Sequence, residues 1–284
     1  MISYRHHIVS LVAVFLALAV GVVLGGGPLS DLGRDDRAAS AATSSQPDAP
    51  SADDFGDKFA TSAAPTLYAS RLADHPVAIV AMPGADADTT AALVAQVGAA
   101  GGRVSGTYAV RAALTDPGQK ALVDTLGSQL MTSLGDAVDA DAPTYQRLGE
   151  LLAVAVTGTG AEVAPVRESL AGAELVDTSK GATAGQVVLV VLGDHTDPAI
   201  LSGLTTGLAA KSTAVVVAGD TASGKAGGDL VALRADPAAV AVGTVDGAET
   251  ALGQVTATLA LIRSLTKPGG SFGASGSAGA VPLT

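Results

Sequence analysis

The residues of this 284-residue chain that could do chemistry come directly after short apolar runs. Gly193-Asp194-His195 follows the apolar run 187–192, and an imidazole beside a carboxylate can bind a cation or move a proton. In an open parallel sheet, ligands collect at the carboxyl ends of the strands, where this tripeptide would lie. Asp194 and His195 are therefore the candidate metal ligands of the chain. The simpler alternative is that both residues only turn and cap the chain before Pro198.

The stretch 219–225, GDTASGK, matches most of the phosphate-binding pattern G-x-x-x-x-G-K. Position 226 is alanine, so the hydroxyl group that would bind Mg²⁺ is missing, and Gly227 and Gly228 interrupt the helix that should follow. We therefore predict an ordinary Gly/Ser loop. The H-E-x-x-H pattern of metalloproteases is absent too. With no catalytic set legible, we predict that the protein is not an enzyme.

The charge balance excludes one class of partner. The chain has 27 acidic and 16 basic residues, a net charge of −11, and 3% aromatic residues. Nucleic acid binding needs Lys and Arg against phosphate and often aromatic rings against bases. We therefore expect no nucleic acid partner.

Apolar runs alternate with helical patterns through most of the chain. Runs at 77–82, 187–192 and 213–218 suit strands that are buried on both faces, and 104–110 and 240–245 suit two more strands. Amphipathic stretches between them predict helices, which makes the fold α/β with a three-layer, mostly parallel, Rossmann-like sheet.

The boundaries of this domain follow from composition. We place it at residues 54–267, after a flexible Ala/Ser/Pro/Asp-rich linker at 33–53 and before a Gly/Ser-rich tail at 268–284 that we predict to be disordered. The first helix begins near Asp54, and we expect Pro65 to interrupt it.

The N-terminus predicts a membrane anchor. Residues 8–29 contain no charged side chain, and about 20 helical residues cross the roughly 30 Å hydrocarbon core of a bilayer. We predict an uncleaved anchor at 1–32. The alternative is a signal peptide cleaved after Ala17-Leu18-Ala19, which would leave an apolar new N-terminus.

The orientation of the anchor is less strongly encoded. Arg5 on one side nearly balances Arg34 and Arg37 on the other, but a short N-terminal tail is typical of a signal-anchor with a cytoplasmic N-terminus. We therefore expect a single-pass protein of the plasma membrane whose C-terminal domain is extracytoplasmic.

One face of the anchor carries only small residues. Ala13, Ala17, Gly21 and Gly25 recur every four residues, a spacing that lets two membrane helices approach closely. This face predicts a homo-oligomer. Because alanine and glycine are frequent in this chain and in membrane spans, the spacing could also follow from composition alone.

Several blocks of the sequence resemble one family. Three blocks are similar to the actinobacterial copper transporter family typified by mycobacterial copper transport protein B. They are the opening MISYRHHIVSLVAVFLALAVGVVLGGGPLSDL, the run STAVVVAGDTASG and the run RADPAAVAVGTVDGAETALGQVTATLALI. The resemblance implies one N-terminal anchor, an α/β domain in the envelope, with an outer layer as an alternative location, and a role in copper efflux and homeostasis. Some relatives instead resemble the anchored half of a cell-division complex, which implies a non-catalytic scaffold with a protein partner.

The resemblance makes copper the expected ligand, but the sequence shows no clustered copper site. Copper(I) favours grouped Cys or Met side chains, and this chain has no cysteine. Its methionines and histidines are isolated from one another, except for one histidine pair near the N-terminus: Met1, Met82, Met131, His6, His7, His75 and His195. Two or more copies of the chain could pool such ligands.

Overall fold

A seven-stranded, mostly parallel sheet forms the centre of the computed structural model, which describes residues 52–134 and 137–283. The strands are β1 (Val77–Ala81), β2 (Val104–Val110), β3 (Val176–Thr178), β4 (Val187–Val191), β5 (Ala214–Ala218), β6 (Gly243–Val245) and β7 (Ser271–Phe272). Their spatial order is β3-β2-β1-β4-β5-β6-β7, and the pairing of β2 with β3 is antiparallel. The other five pairings are parallel, so the predicted α/β class with a mostly parallel sheet is confirmed.

Helices connect the strands. They are α1 (Ala52–Tyr68), α2 (Ala87–Ala99), α3 (Ala112–Thr115), α4 (Lys120–Leu134), α5 (Thr144–Thr157), α6 (Val163–Gly172), α7 (Pro198–Lys211), α8 (Asp229–Ala235) and α9 (Ala251–Ser264). Short 3-10 turns lie at Pro117–Gln119 and Pro237–Ala239. None of these helices is both long and apolar enough to cross a bilayer.

The sheet is buried on both faces, as its sequence requires. Every residue of β4 and β5 is buried, because alternate side chains point into two different cores. On one face, Val188 and Val190 pack with the helices α5 and α7. On the other face, Val187 and Leu189 pack with α1, α2 and α9.

Glycines hold α5 and α7 unusually close together. A Cβ atom on Gly207 of α7 would lie 2.1 Å from the backbone oxygen of Gln146, and one on Gly149 of α5 would lie 2.3 Å from the backbone oxygen of Leu204. Real Cβ atoms do not approach backbone that closely. The two helix backbones are therefore in direct contact, which only glycine at these positions allows.

The predicted disorder of the tail 268–284 is wrong. Residues Ser271 and Phe272 form β7 beside β6, and the Phe272 side chain is buried. The buried ion pair of Arg234 with Asp246 (2.9 Å) holds this segment, since Arg234 also donates to the backbone oxygen of Phe272 and the backbone nitrogen of Ser275 donates to Asp246. The Gly/Ser-rich composition of the tail predicted disorder, because it gives no sign that Phe272 is buried or that Arg234 and Asp246 bind the segment.

Two predicted boundaries also change. α1 begins at Ala52 and runs through Pro65 to Tyr68, because burial of its inner face against α9 outweighs the hydrogen bond that proline removes. The last predicted strand, 240–245, shortens to β6, since Val240 lies exposed after a 3-10 turn. The predicted anchor 1–32, its face of small residues and the linker up to residue 51 lie outside the described residues.

The contact between α5 and α7 makes a stability prediction. We expect Gly207→Ala to lower the free energy of unfolding by about 3 kcal/mol, the upper end of the range for overpacking, because backbone cannot move aside as a side chain can. Chemical denaturation of the purified protein measures this. The control is Gly98→Ala in α2, where a Cβ atom meets nothing within 4 Å and stability should change by less than about 1 kcal/mol. Equal effects of the two substitutions would contradict the close backbone contact.

Candidate functional site

A crevice opens where the strand order reverses, between β1 and β4. The first crossover of the chain, through α2, leads from β1 to β2 on one side, while β4, β5 and β6 lie on the other. The loops that follow β1, β4 and β5 and the residues before α9 enclose a cavity of about 300 Å³. Open α/β sheets bind their ligands at this position. The cavity is lined by Gly84, Asp86, Thr89, Val191, Leu192, Gly193, Ala218, Gly219, Asp220, Ala248 and Glu249.

Two glycines set the shape of the crevice. A Cβ atom on Gly193 would lie 2.1 Å from the backbone nitrogen of Ala85, and one on Gly84 would lie 2.3 Å from the carboxyl carbon of Asp194. The loops after β1 and β4 are also joined by a hydrogen bond from the Asp194 nitrogen to the Pro83 oxygen, at 2.7 Å. Asp194 therefore belongs to the contact between these two loops.

Three carboxylates give the cavity a negative lining. Asp86 accepts a hydrogen bond from the backbone nitrogen of Thr89 at 2.7 Å, and this bond lowers the pKa of Asp86. Asp220 accepts a hydrogen bond from the backbone nitrogen of Ser223 in its own loop, and Glu249 accepts one from the backbone nitrogen of Thr221 in the loop after β5. The residues that the structure describes around the cavity include no Lys or Arg. The crevice therefore favours cations and repels anions.

The stretch 219–225 is a Gly/Ser loop, as the sequence predicts. The backbone nitrogens of Thr221 and Ser223, which a phosphate would need as donors, instead donate to the carboxylates of Glu249 and Asp220. α8 begins only at Asp229, four residues after Lys225. The loop therefore presents no phosphate-binding helix N-terminus.

The expectation that no G-x-S-x-G pattern occurs in this chain is wrong, because residues 269–273 match it. Its serine, Ser271, lies in β7, and its backbone oxygen accepts a hydrogen bond from the Ala278 nitrogen. A nucleophile elbow requires a sharp turn from a strand into a helix at the serine. Residues 273–283 instead form turns and irregular segments without a helix, so this match lacks the geometry of a nucleophile elbow.

The structure pairs His195 with Asp229 and not with its neighbour Asp194. The Nδ1 atom of His195 lies 2.5 Å from Oδ1 of Asp229, and the other carboxylate oxygen accepts the Thr196 backbone nitrogen at 3.1 Å. The side chain of Asp229 is 6% exposed, whereas that of His195 is 68% exposed. A buried, fixed carboxylate thus holds one edge of an imidazole whose remainder faces solvent.

This geometry defines what the imidazole can do. A carboxylate only accepts hydrogen bonds, so the ring nitrogen facing Asp229 carries the proton and the neutral ring keeps a lone pair on Nε2. Metal-binding histidines use this arrangement, with the outer carboxylate fixing the tautomer. In residues 52–134 and 137–283, however, no three His, Asp or Glu side chains are grouped so that they could hold a metal ion together. His195 is therefore a single imidazole held in a fixed orientation.

The sequence identified His195 but not its partner. Asp229 lies 34 residues further on, at the first position of α8, and nothing in its local sequence distinguishes it from other helix-initiating aspartates. The other described histidine, His75, contacts the Gln186 side chain at 2.8 Å through its own Nδ1. Met82 is buried in the core.

Comparison with known proteins points to copper transport. A family model described as "Copper transport outer membrane protein, MctB" matches residues 1–283. Proteins named "Copper transporter MctB" from Mycobacterium bovis (strain ATCC BAA-935 / AF2122/97) and Mycobacterium tuberculosis (strain ATCC 25618 / H37Rv) are each 29% identical over 300 aligned residues, which cover 92% of this chain and 92% of theirs. These matches give no support to the alternative of a cell-division scaffold.

The pairing of His195 with Asp229 can be tested by NMR. We expect wild-type His195 to populate the tautomer protonated at Nδ1, because the buried carboxylate accepts that proton. Asp229→Asn should shift the population toward the tautomer protonated at Nε2, as measured by long-range proton–nitrogen correlation spectra with His195→Gln for assignment. The matched control, Asp194→Asn, should leave the tautomer unchanged. A shift with the control and none with Asp229→Asn would refute the pairing.

Proposed function

The chain belongs to the family of MctB copper transport outer membrane proteins, and on this premise we propose that it serves copper efflux from an anchored position in the cell envelope. The observation that carries the proposal is the extent of the match, which covers residues 1–283 and so includes both the N-terminal apolar run and the α/β domain. The relatives of similar length bear the name copper transporter.

Anchoring is supported by the sequence. The run 8–29 is long enough to span a bilayer as one helix, and its short N-terminal tail favours a cytoplasmic N-terminus. The family description names the outer membrane, which agrees with an envelope location beyond the cytoplasm. One membrane helix forms no pore by itself. The folded domain therefore supplies the contact with copper. The functional state in this proposal is a homo-oligomer.

His195 is the copper contact that the domain chemistry supports best. The chain has no cysteine, the Met82 side chain is buried, and imidazole is a ligand that suits copper. Asp229 orients His195 and leaves Nε2 exposed to solvent. A metal ion held by one side chain exchanges readily, which suits transfer of copper better than its storage.

The acidic crevice supports the same assignment. Asp86, Asp220 and Glu249 line it without a compensating Lys or Arg among the described lining residues, and its loop after β4 continues directly into His195. Negative potential in a cleft raises the local concentration of cations. Transfer of a cation breaks no covalent bond, so this function requires no catalytic residues and the protein is not an enzyme.

Copper tolerance tests the function and the residue separately. We expect a deletion strain to grow less well at raised copper and the wild-type gene to restore growth. His195→Gln should restore it incompletely, whereas His75→Gln, the matched control, should restore it fully, with protein levels compared in membrane fractions. Unchanged tolerance of the deletion strain would overturn copper efflux. Full restoration by His195→Gln would overturn only the assigned ligand.

A further inference from the structure

The donor atoms on the described surface discriminate between the two oxidation states of copper. Copper(I) is selected by soft sulfur ligands, whereas copper(II) takes nitrogen and oxygen ligands. The chain has no cysteine, and the methionine side chain that the structure describes, that of Met82, is only 4% exposed. The described side chains at the surface therefore offer imidazole nitrogen and carboxylate oxygen to a metal ion, and not sulfur.

His195 is a nitrogen donor that imposes no geometry on a metal ion. Its side chain is 68% exposed, and the described residues, 52–134 and 137–283, group no three His, Asp or Glu side chains around one position. Water therefore fills the other coordination positions of an ion on Nε2. Where geometry does not select the metal, intrinsic affinity does, and among divalent first-row metals copper(II) binds such donors most tightly. One imidazole is enough to rank copper(II) above zinc and nickel.

Asp229 makes this imidazole a better donor to a doubly charged ion. Its carboxylate is 6% exposed and lies 2.5 Å from Nδ1 of His195, and an outer-shell carboxylate raises the basicity of the ligand. Nδ1 of His75 instead contacts Oε1 of Gln186, a neutral amide, at 2.8 Å. The two described histidines thus differ in the charge of their partner, which makes His75 a natural control.

The crevice beside His195 adds a preference for the higher charge. Asp86, Asp220 and Glu249 line it, the described lining residues include no Lys or Arg, and Gly193 of the same lining lies two residues before His195. The enrichment of an ion by a negative potential depends exponentially on its charge. A potential that concentrates a monovalent ion about tenfold concentrates a divalent ion about a hundredfold. The crevice therefore attracts copper(II) more strongly than copper(I).

We propose that the copper this domain binds is copper(II), held through Nε2 of His195, with Asp229 as the positioning residue. The inference rests on the proposed copper function and deepens it by naming the oxidation state of the cargo. Binding transfers no electron, since one water ligand of the ion is exchanged for the imidazole and the reverse exchange releases the same ion.

The full-length chain in detergent tests the proposal, with copper(II) sulfate and silver(I) nitrate as the two probes. Silver(I) is monovalent and soft, like copper(I), but it is stable in air. All samples carry His6→Gln and His7→Gln, because two adjacent histidines compete for copper. The variants on this background are His195→Gln, Asp229→Asn and the matched control His75→Gln. Because the His195 side chain is largely exposed, its replacement leaves the packing of the domain intact.

Pulsed electron paramagnetic resonance identifies the ligand directly. Copper(II) on Nε2 of an imidazole couples to the distant ring nitrogen, and the quadrupole coupling of that nitrogen reports its hydrogen bond. We expect this nitrogen signal in the starting protein, its loss with His195→Gln, and no change with His75→Gln. Asp229→Asn should keep the signal but alter its quadrupole coupling, because Nδ1 loses its charged partner.

Titration compares the affinities of the two ions. We expect copper(II) to bind at least about tenfold more tightly than silver(I), the factor that charge alone supplies. Asp229→Asn should weaken copper(II) binding about tenfold, the lower end of the range for loss of an outer-shell partner. Silver(I) binding that is equal or tighter, or a copper(II) nitrogen signal that survives His195→Gln, would overturn the proposal.

Copper tolerance separates this proposal from the function on which it rests. If the deletion strain loses tolerance while the purified protein prefers silver(I), the copper function stands and the oxidation state is refuted. If the deletion strain keeps its tolerance while copper(II) binding depends on His195, the binding site stands and the efflux function is refuted.

Discussion

Burial of the sheet on both faces is the constraint from which the rest of this structure follows. Because β4 and β5 are apolar throughout and covered by helices on each side, their faces have no room for polar chemistry. Ionisable groups are instead carried by the loops at the carboxyl ends, where Asp194, Asp220 and Asp246 each follow a buried strand closely. The crevice between β1 and β4 is the direct result, since the crossovers diverge there and leave a gap between the loops.

The same constraint decides what could be read from the sequence. Runs that are buried on both faces are continuously apolar and free of charge, so β1, β4 and β5 were predicted, as was the helix α7 between β4 and β5. Features that depend on contacts between distant residues were not predicted. β7 needs Arg234 and Asp246 to hold a glycine-rich segment, and the helical course of α1 through Pro65 depends on packing against α9.

In the candidate site, too, the sequence predicted one residue and missed another that depends on a contact between distant parts of the chain. His195 was identified because histidine is rare in this chain and follows an apolar run, whereas Asp229 was not, because a carboxylate at a helix start is common. The fold joins them across 34 residues and turns an ordinary loop histidine into an oriented one. The neighbouring Asp194, which the sequence favoured as its partner, lies against Gly84 of the adjacent loop. Among the described residues, the structure shows one imidazole that a buried carboxylate holds in position.

The position of β7 at the edge of the sheet has a consequence for how the edge is protected. β6 is flanked by β5 on one side and by β7 on the other. If the segment 271–275 detaches, the Asp246 carboxylate loses the backbone donor of Ser275 and one edge of β6 loses its neighbour. An uncovered strand edge is a template for pairing with other chains, so this short segment protects the domain from aggregation.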